Sequence, residues 1–290
     1  MDSIFDDRSW QSRDGLTLHF RDYRAGAQVE LSRPPLLCLH GLTRNARDFA
    51  PLAERWADQW RILVPEMRGR GASEYAQDAM SYNPQTYVAD IEELLRQEGI
   101  ERFVVIGTSL GGLMTMLLAA NDAAQLAGAV LNDIGPAVNA AGLGRIGEYV
   151  GQGNTYASWT HAARAMQDLH AKAYPAFETQ QWLNMAKRCM IMQPDGRIAY
   201  DYDVNIAEPF RQADGAAPPD LWSAYEALRD APLLVLRGEL SDLLAPDTLD
   251  EMQRRIPSAN IVTVPNVGHT PMLDEPEASA AIEEFLAKIQ

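Results

Sequence analysis

Two cysteines in 290 residues are too few for a disulfide framework. Cys38 sits inside the apolar run Leu36 to Leu39, where a small buried hydrophobe is expected, and Cys189 has no metal-ligand company, so both read as structural thiols. Positive charge is also short, because 25 Lys and Arg face 40 Asp and Glu and leave a net charge of −15. Without a basic footprint, nucleic acid and an anionic membrane surface are not expected partners. No apolar run approaches the ~20 residues that span a membrane, and the acidic start MDSIFDDRSW is unlike the basic and then apolar head of a secretory leader. The expected address is therefore the cytoplasm. Low-complexity blocks and repeats with periods of about 20 to 50 residues are likewise missing, which argues against a solenoid or a disordered chain.

What is present is a chain long enough to bury a full-sized core, as one domain with an insertion rather than two small ones. Its most informative stretch is Phe103 to Ala120, FVVIGTSLGGLMTMLLAA. Phe103 to Ile106 reads as a short buried strand, and Leu110 to Ala120 as an apolar helix, with Ser109 at the corner between them. Gly107 and Gly111 flank Ser109 as G-x-S-x-G, the spacing of a tight strand-to-helix turn where side chains on either side would collide. Such a turn holds the serine hydroxyl at the mouth of the sheet. The following helix aims its first amides at the same place, so the Leu110 N–H can meet negative charge developing on a substrate oxygen. A Gly-rich turn carrying a passive serine is the bland alternative.

The remaining chain alternates strands and helices. Trp10 to Tyr23 reads as a hairpin about Asp14-Gly15, with His19 on its polar face as a surface histidine. LLCLHG is a buried-type strand ending at His40-Gly41, and Arg61 to Pro65 is a second one before Arg68-Gly69-Arg70-Gly71. Between them Phe49, Leu52, Trp56 and Trp60 recur at helical spacing. Val88, Ile91, Leu94 and Leu95 mark another helix, and the strand at 129–131 ends in Asn132-Asp133. A parallel, helix-covered α/β sheet follows. From 137 to about 225 the alternation stops, and an Ala, Met, Tyr and Trp-rich stretch with helical spacing predicts a helical lid with no buried strand. Strands return at 233–236 and 261–264 around a helix started by Pro246, and Asp274 to Gln290 closes the chain as an amphipathic helix. The expected division is a core of residues 1–136 and 226–290 with a lid of 137–225.

His40-Gly41, Arg68-Gly69-Arg70-Gly71-Ala72-Ser73, Gly107-Thr108-Ser109-Leu110-Gly111-Gly112, Ser241-Asp242 and Gly268-His269, each after a strand or near the end, together resemble the α/β-hydrolase family over essentially the whole chain. The resemblance implies an eight-stranded, mostly parallel sheet with a cap inserted after the sixth strand. Glu66 departs from the aspartate that many relatives carry in D-x-R-G-x-G, which bears on loop shape rather than on chemistry.

A serine hydroxyl needs an adjacent base, and His269, after the last strand and last in the order Ser, Asp, His, is the expected one. A carboxylate must then hold its tautomer. Asp242, in the loop RGELSD, occupies the family's usual place; Asp133 occupies a place that some relatives use, and chain order admits both. Asp242 is the expected acid, leaving Asp133 to anchor the lid junction through a cap or turn bond. His40 is expected to shape the backbone that presents the Leu42 N–H, making Leu42 and Leu110 the oxyanion donors. His161 and His170 fall in the lid without a ligand pattern, so no metal and no organic cofactor are expected. Arg44 is a candidate for receiving a substrate carboxylate, Arg68 and Arg70 are expected to be solvated or to brace loops, and Tyr149, Trp159, Trp182 and Met185 are candidates for a pocket lining.

These residues predict a serine hydrolase that cleaves an ester or related acyl bond of a small molecule through an acyl-enzyme. A carbon–carbon bond hydrolase or enol-lactonase shares the same triad, and a slow-turnover ligand-binding receptor is the alternative from another class. The fold's dehalogenases and epoxide hydrolases use a carboxylate nucleophile, which serine at position 109 disfavours. Sequence fixes neither the substrate nor the oligomeric state.

Overall fold

The computed structural model describes residues 4–24, 33–212 and 220–289. In chain order its elements are β1 (Asp6–Gln11), β2 (Thr17–Tyr23), β3 (Leu36–Leu39), α1 (Ala50–Trp56), β4 (Ile62–Pro65), α2 (Pro84–Glu98), β5 (Phe103–Thr108), α3 (Leu110–Asp122) and β6 (Leu126–Asn132). An insertion follows, with α4 (Ala140–Tyr149), β7 (Thr155–Tyr156), α5 (Trp159–His170), α6 (Thr179–Cys189), β8 (Met190–Met192), β9 (Ile198–Tyr200), α7 (Glu208–Gln212) and α8 (Trp222–Glu226). The chain ends with β10 (Leu233–Gly238), α9 (Pro246–Arg255), β11 (Asn260–Val264) and α10 (Pro276–Leu286).

The main sheet has eight strands in the order β1-β2-β4-β3-β5-β6-β10-β11. β1, β2 and β4 pair antiparallel, and every pair from β4 to β11 is parallel. Period-two alternation sends successive side chains of the central strands to opposite faces. Leu37, Leu39, Phe103, Val105, Leu131 and Val235 join the core beneath α2, α3, α8 and α9, while Leu36, Cys38, Val104, Ile106, Val130 and Leu236 join the core beneath α1 and α10. Both cysteines are buried and free, and burial pushes the Cys38 thiol well above its ordinary pKa. α2 starts where its sequence dictates: the Asn83 side chain accepts from the Thr86 N–H at 2.9 Å, and Pro84 fills the first turn. No helix among the described residues is long and apolar enough to cross a membrane.

Two expectations need correction. The insertion is not wholly helical, because β7, β9 and β8 form a small antiparallel sheet. Pro194-Asp195-Gly196 turns β8 into β9, closed by Gln193 N–H to Arg197 O at 2.7 Å, and strands of two and three residues are too short to show an alternating pattern. His19 is not a free surface histidine: its ring lies between Glu66 (2.9 Å) and Asp7 (2.8 Å). Burial opposes its charge, yet the two carboxylates prevail and raise its pKa. Glu66, the residue that departs from the family pattern, accepts from His19 and from the Ala46 and Ala72 amides, so its extra methylene reaches three partners. Residues 213–219 of the expected lid lie outside the described residues.

The turn between β5 and α3 brings backbone directly against backbone. A Cβ on Gly111 would lie 2.0 Å from the Leu39 carbonyl oxygen, and one on Gly107 would lie 2.4 Å from the Gly111 oxygen. Backbone, not a yielding side chain, stands in the way. Gly111→Ala is therefore expected to cost at least about 1–3 kcal/mol of unfolding free energy, measured by urea titration; unchanged stability would contradict this packing.

Candidate active site

Ser109 joins β5 to α3 with φ 53° and ψ −113°, a backbone conformation that a non-glycine residue rarely adopts. Its surroundings hold it there. The Ser109 N–H donates to Asn132 O at 3.0 Å, and the Ser109 carbonyl accepts from Gly112 (2.9 Å) and Leu113 (3.1 Å) in the first turn of α3. Leu110, the first residue of that helix, has no acceptor for its N–H within the helix.

From this corner a hydrogen-bonded relay runs inward. Ser109 Oγ lies 2.8 Å from His269 Nε2, and His269 Nδ1 lies 2.7 Å from Asp133 Oδ2. Because an ionised carboxylate only accepts, Nδ1 carries the proton and Nε2 is left as the acceptor facing the serine hydroxyl. Asp133 is fully buried, and its charge is met by three donors: His269, the Gly238 N–H to Oδ1 at 2.9 Å, and the Ser241 hydroxyl to Oδ2 at 2.7 Å. It sits one residue past β6 at φ 55°, a left-handed position that aspartate tolerates better than most types.

The expected acid, Asp242, is not the partner of His269. Its carboxylate is 45% exposed and binds Arg145 of α4 through two bonds, 2.6 Å from Nε and 2.9 Å from Nη2. Burial works to raise its pKa, but the Arg145 guanidinium outweighs that and holds it below the ordinary value. The loop after β10 turns so that Ser241 faces the relay, where its hydroxyl also accepts from the Leu243 and Leu244 amides at 3.3 and 3.1 Å. Asp133 follows a wholly buried strand beside β5, in register through Thr108 and Asn132 with the strand that leads to Ser109. A charged residue closing such an apolar run was the available signal, since a buried carboxylate requires partners.

Across from Ser109 the loop after β3 is braced from beneath. His40 Nε2 accepts the Met67 N–H at 3.1 Å, so Nδ1 is the protonated nitrogen and donates to Gly41 O at 2.8 Å. Burial lowers the His40 pKa to about 4 and keeps the ring neutral. Arg70 donates from Nε to Leu42 O at 2.9 Å, and Arg68 is clamped by Asp90 and Asp14, so both arginines brace loops as expected.

A cavity of about 70 Å³ opens beside Ser109 and His269. Leu42, Arg44, Tyr149 and Met185 line it; Trp159 and Trp182 do not, and Trp182 packs instead against Tyr174 and Phe177. Arg44 is paired with Asp48 through two bonds of 2.8 and 2.6 Å. Sequence reading missed Asp48 and Tyr174 and gave His170 no role; all three also line the cavity. Burial, with the charges of Arg44 and Arg145 nearby, lowers the His170 pKa to about 3, so that ring contributes no charge at neutral pH. Among the described residues no group of three or more His, Cys, Asp or Glu side chains could hold a metal ion.

A model of the alpha/beta hydrolase family matches residues 36–282. The chain is 35% identical over 257 residues to a 3-hydroxybutyrate-oligomer hydrolase of Cupriavidus necator, covering 86% of this chain and 87% of the relative. It is 26% identical to a 2-(acetamidomethylene)succinate hydrolase of Mesorhizobium japonicum, covering 93% and 92%. Among solved structures, an alpha/beta hydrolase from Novosphingobium aromaticivorans superimposes with a TM-score of 0.94 at 56% identity, covering 99% of each chain.

The neutral His40 makes stability depend on pH with a defined sign. The unfolded histidine takes up a proton near 6.5 and the folded one only near 4, so stability falls as pH drops through that window. The loss from this one group is about 3 kcal/mol. Urea unfolding of His40→Gln should show a flatter pH dependence between 6.5 and 4 than the wild type; an equally steep one would mean His40 is not the group responsible.

Proposed function

Because the chain belongs to the alpha/beta hydrolase family, we propose that it is a serine hydrolase cleaving an ester or closely related acyl bond of a small molecule. The observation that carries this reading is the continuous relay from Ser109 through His269 to Asp133 at the edge of a cavity. Ser109 Oγ attacks the substrate carbonyl as its proton passes to His269 Nε2, and Asp133 stabilises the imidazolium that forms. The Leu42 and Leu110 amides receive the oxyanion. His269 then protonates the departing alcohol, leaving an acyl group on Ser109. Water, deprotonated by the same ring, attacks that acyl group and releases the acid and the free hydroxyl. The insertion acts as a lid over the relay.

A small cavity beside Ser109, lined by Leu42, Arg44, Tyr149 and Met185, supports a small-molecule acyl group. The relative named for 3-hydroxybutyrate oligomers points the same way, because such oligomers are short hydroxy acids joined by esters. Arg44 gives the lining a cationic end for the carboxylate of an acyl chain or leaving acid, although Asp48 already neutralises it. The carbon–carbon hydrolase and enol-lactonase readings share every residue of the relay and differ only in what the cavity admits.

A panel of short-chain aryl esters, 3-hydroxyacid dimers, lactones and ring-cleavage dienoates separates these readings. Turnover of the esters that disappears in Ser109→Ala supports the proposal; binding without turnover would favour a receptor. With the best ester, Asp133→Asn should lower kcat on the order of 10⁴-fold, as expected when the histidine loses its orienting carboxylate. Asp242→Asn should stay within about tenfold. The reverse ranking would return the acid role to Asp242. Arg44→Met should raise KM for carboxylate-bearing esters more than for neutral ones, and equal changes would remove Arg44 from recognition.

A further inference from the structure

The loop that carries His269 is held from two sides. On the core side the Leu240 N–H donates to Val267 O at 2.9 Å. On the other side the support comes entirely from the insertion, at the corner between α5 and α6. Gly268 N–H donates to Ala173 O at 2.6 Å, Thr270 N–H donates to the Tyr174 phenol oxygen at 3.1 Å, and that phenol donates its own proton to Thr270 O at 2.7 Å. The residues immediately before and after the histidine are therefore bonded to Ala173 and Tyr174, two adjacent residues much earlier in the chain. The approach is close enough to fix a residue type: a Cβ on Gly268 would lie 2.9 Å from Ala173 Cα and 3.0 Å from its Cβ.

Tyr174 is suited to hold rather than to react. Its ring is buried, stacks on Phe177 with centroids 4.6 Å apart, and meets Trp182 edge-on at 6.0 Å. Burial pushes its phenol pKa well above the ordinary value, so it remains a neutral donor and acceptor throughout the neutral range. Ala173 and Tyr174 are in turn fixed by their own amides, which donate to His170 O at 2.9 and 3.1 Å at the end of α5. A rigid aromatic cluster in the insertion thus ends in the hydroxyl that brackets the loop of the base.

We propose that Tyr174 is a positioning residue for His269, and that the α5–α6 corner of the insertion is part of the mounting of the catalytic base. This rests on the reading of Ser109 and His269 given above. The corner cannot lift without releasing the amides on both sides of the histidine, so substrate entry must leave it seated. A displacement of about 1 Å between reacting groups is enough to cost on the order of 100-fold in rate.

The test compares Tyr174→Phe with Tyr225→Phe. The first keeps the ring and its packing and removes only the hydroxyl; the second removes a similarly buried phenol hydrogen bond, Tyr225 Oη to Met252 O at 3.0 Å, at α8, which lines no part of the cavity. Tyr174→Phe should lower kcat about 10- to 100-fold with KM changed less than about threefold, and should slow phosphonylation of Ser109 by a fluorophosphonate in parallel. Tyr225→Phe should leave both rates at the wild-type value even where it lowers the melting temperature. If Tyr174→Phe folds and retains wild-type kcat and phosphonylation rate, or if Tyr225→Phe slows both equally, the positioning role is overturned while the serine hydrolase reading stands. A wild-type protein whose Ser109 neither turns over nor is phosphonylated overturns that reading and this one with it.

Discussion

A single buried negative charge organises the edge of the sheet at which Ser109 and His269 meet. Asp133 is removed from solvent, and a carboxylate there is tolerable only when its oxygens are met by well-placed donors. The three that meet it come from β10, the loop after β10 and the loop after β11. Satisfying one charge therefore fixes three segments relative to β6, and because β6 lies beside β5 it also fixes them relative to Ser109. The imidazole stands between the hydroxyl and the carboxylate because each end has only one chemically sensible partner.

The second organising constraint is how the insertion is tied down. The Arg188 carbonyl at the end of α6 accepts from Asn45 Nδ2 (3.1 Å) and Arg47 Nε (3.0 Å), Arg47 pairs with Asp201 at 2.7 Å, and Tyr82 donates to Asp203 at 2.5 Å. These contacts join the loops after β3 and β4 to the far side of the insertion, while Ala173 and Tyr174 join its near side to the loop of His269. The Arg145–Asp242 pair differs from them, being partly exposed on both members, and pairs of that kind contribute little to stability. The insertion is thus hydrogen-bonded to the loops after β3 and β4 on one side and to the loop of His269 on the other.

What sequence made legible follows from how local each feature is. The elbow at Ser109 could be read because its requirements are confined to five residues, two of which must lack a Cβ so that backbone can meet backbone. The parallel sheet could be read from buried runs separated by helical periodicity, and Arg68 and Arg70 from their loop positions. The choice between Asp133 and Asp242 could not, since both precede His269 and both follow a strand. It is settled by which way the loop after β10 turns, and that turn is governed by Ser241 accepting two amides of its own loop while donating to Asp133. Inside the insertion, Tyr149 and Met185 face the cavity while Trp182 enters a local aromatic cluster, a distinction that helical spacing alone does not carry. Tyr174 escaped notice, and His170 was read only as a lid histidine without a ligand pattern, for the same reason. The β8–β9 hairpin left only its Pro-Asp-Gly turn as a trace.

The convergence of Ser109, His269 and Asp133 is tested most directly by the rate at which a fluorophosphonate modifies the serine, followed by mass spectrometry of the labelled peptide. It predicts a single adduct on Ser109, formed quickly in the wild type and in Asp242→Asn and very slowly in Asp133→Asn. An adduct elsewhere, or labelling that survives Asp133→Asn and collapses in Asp242→Asn, would contradict it.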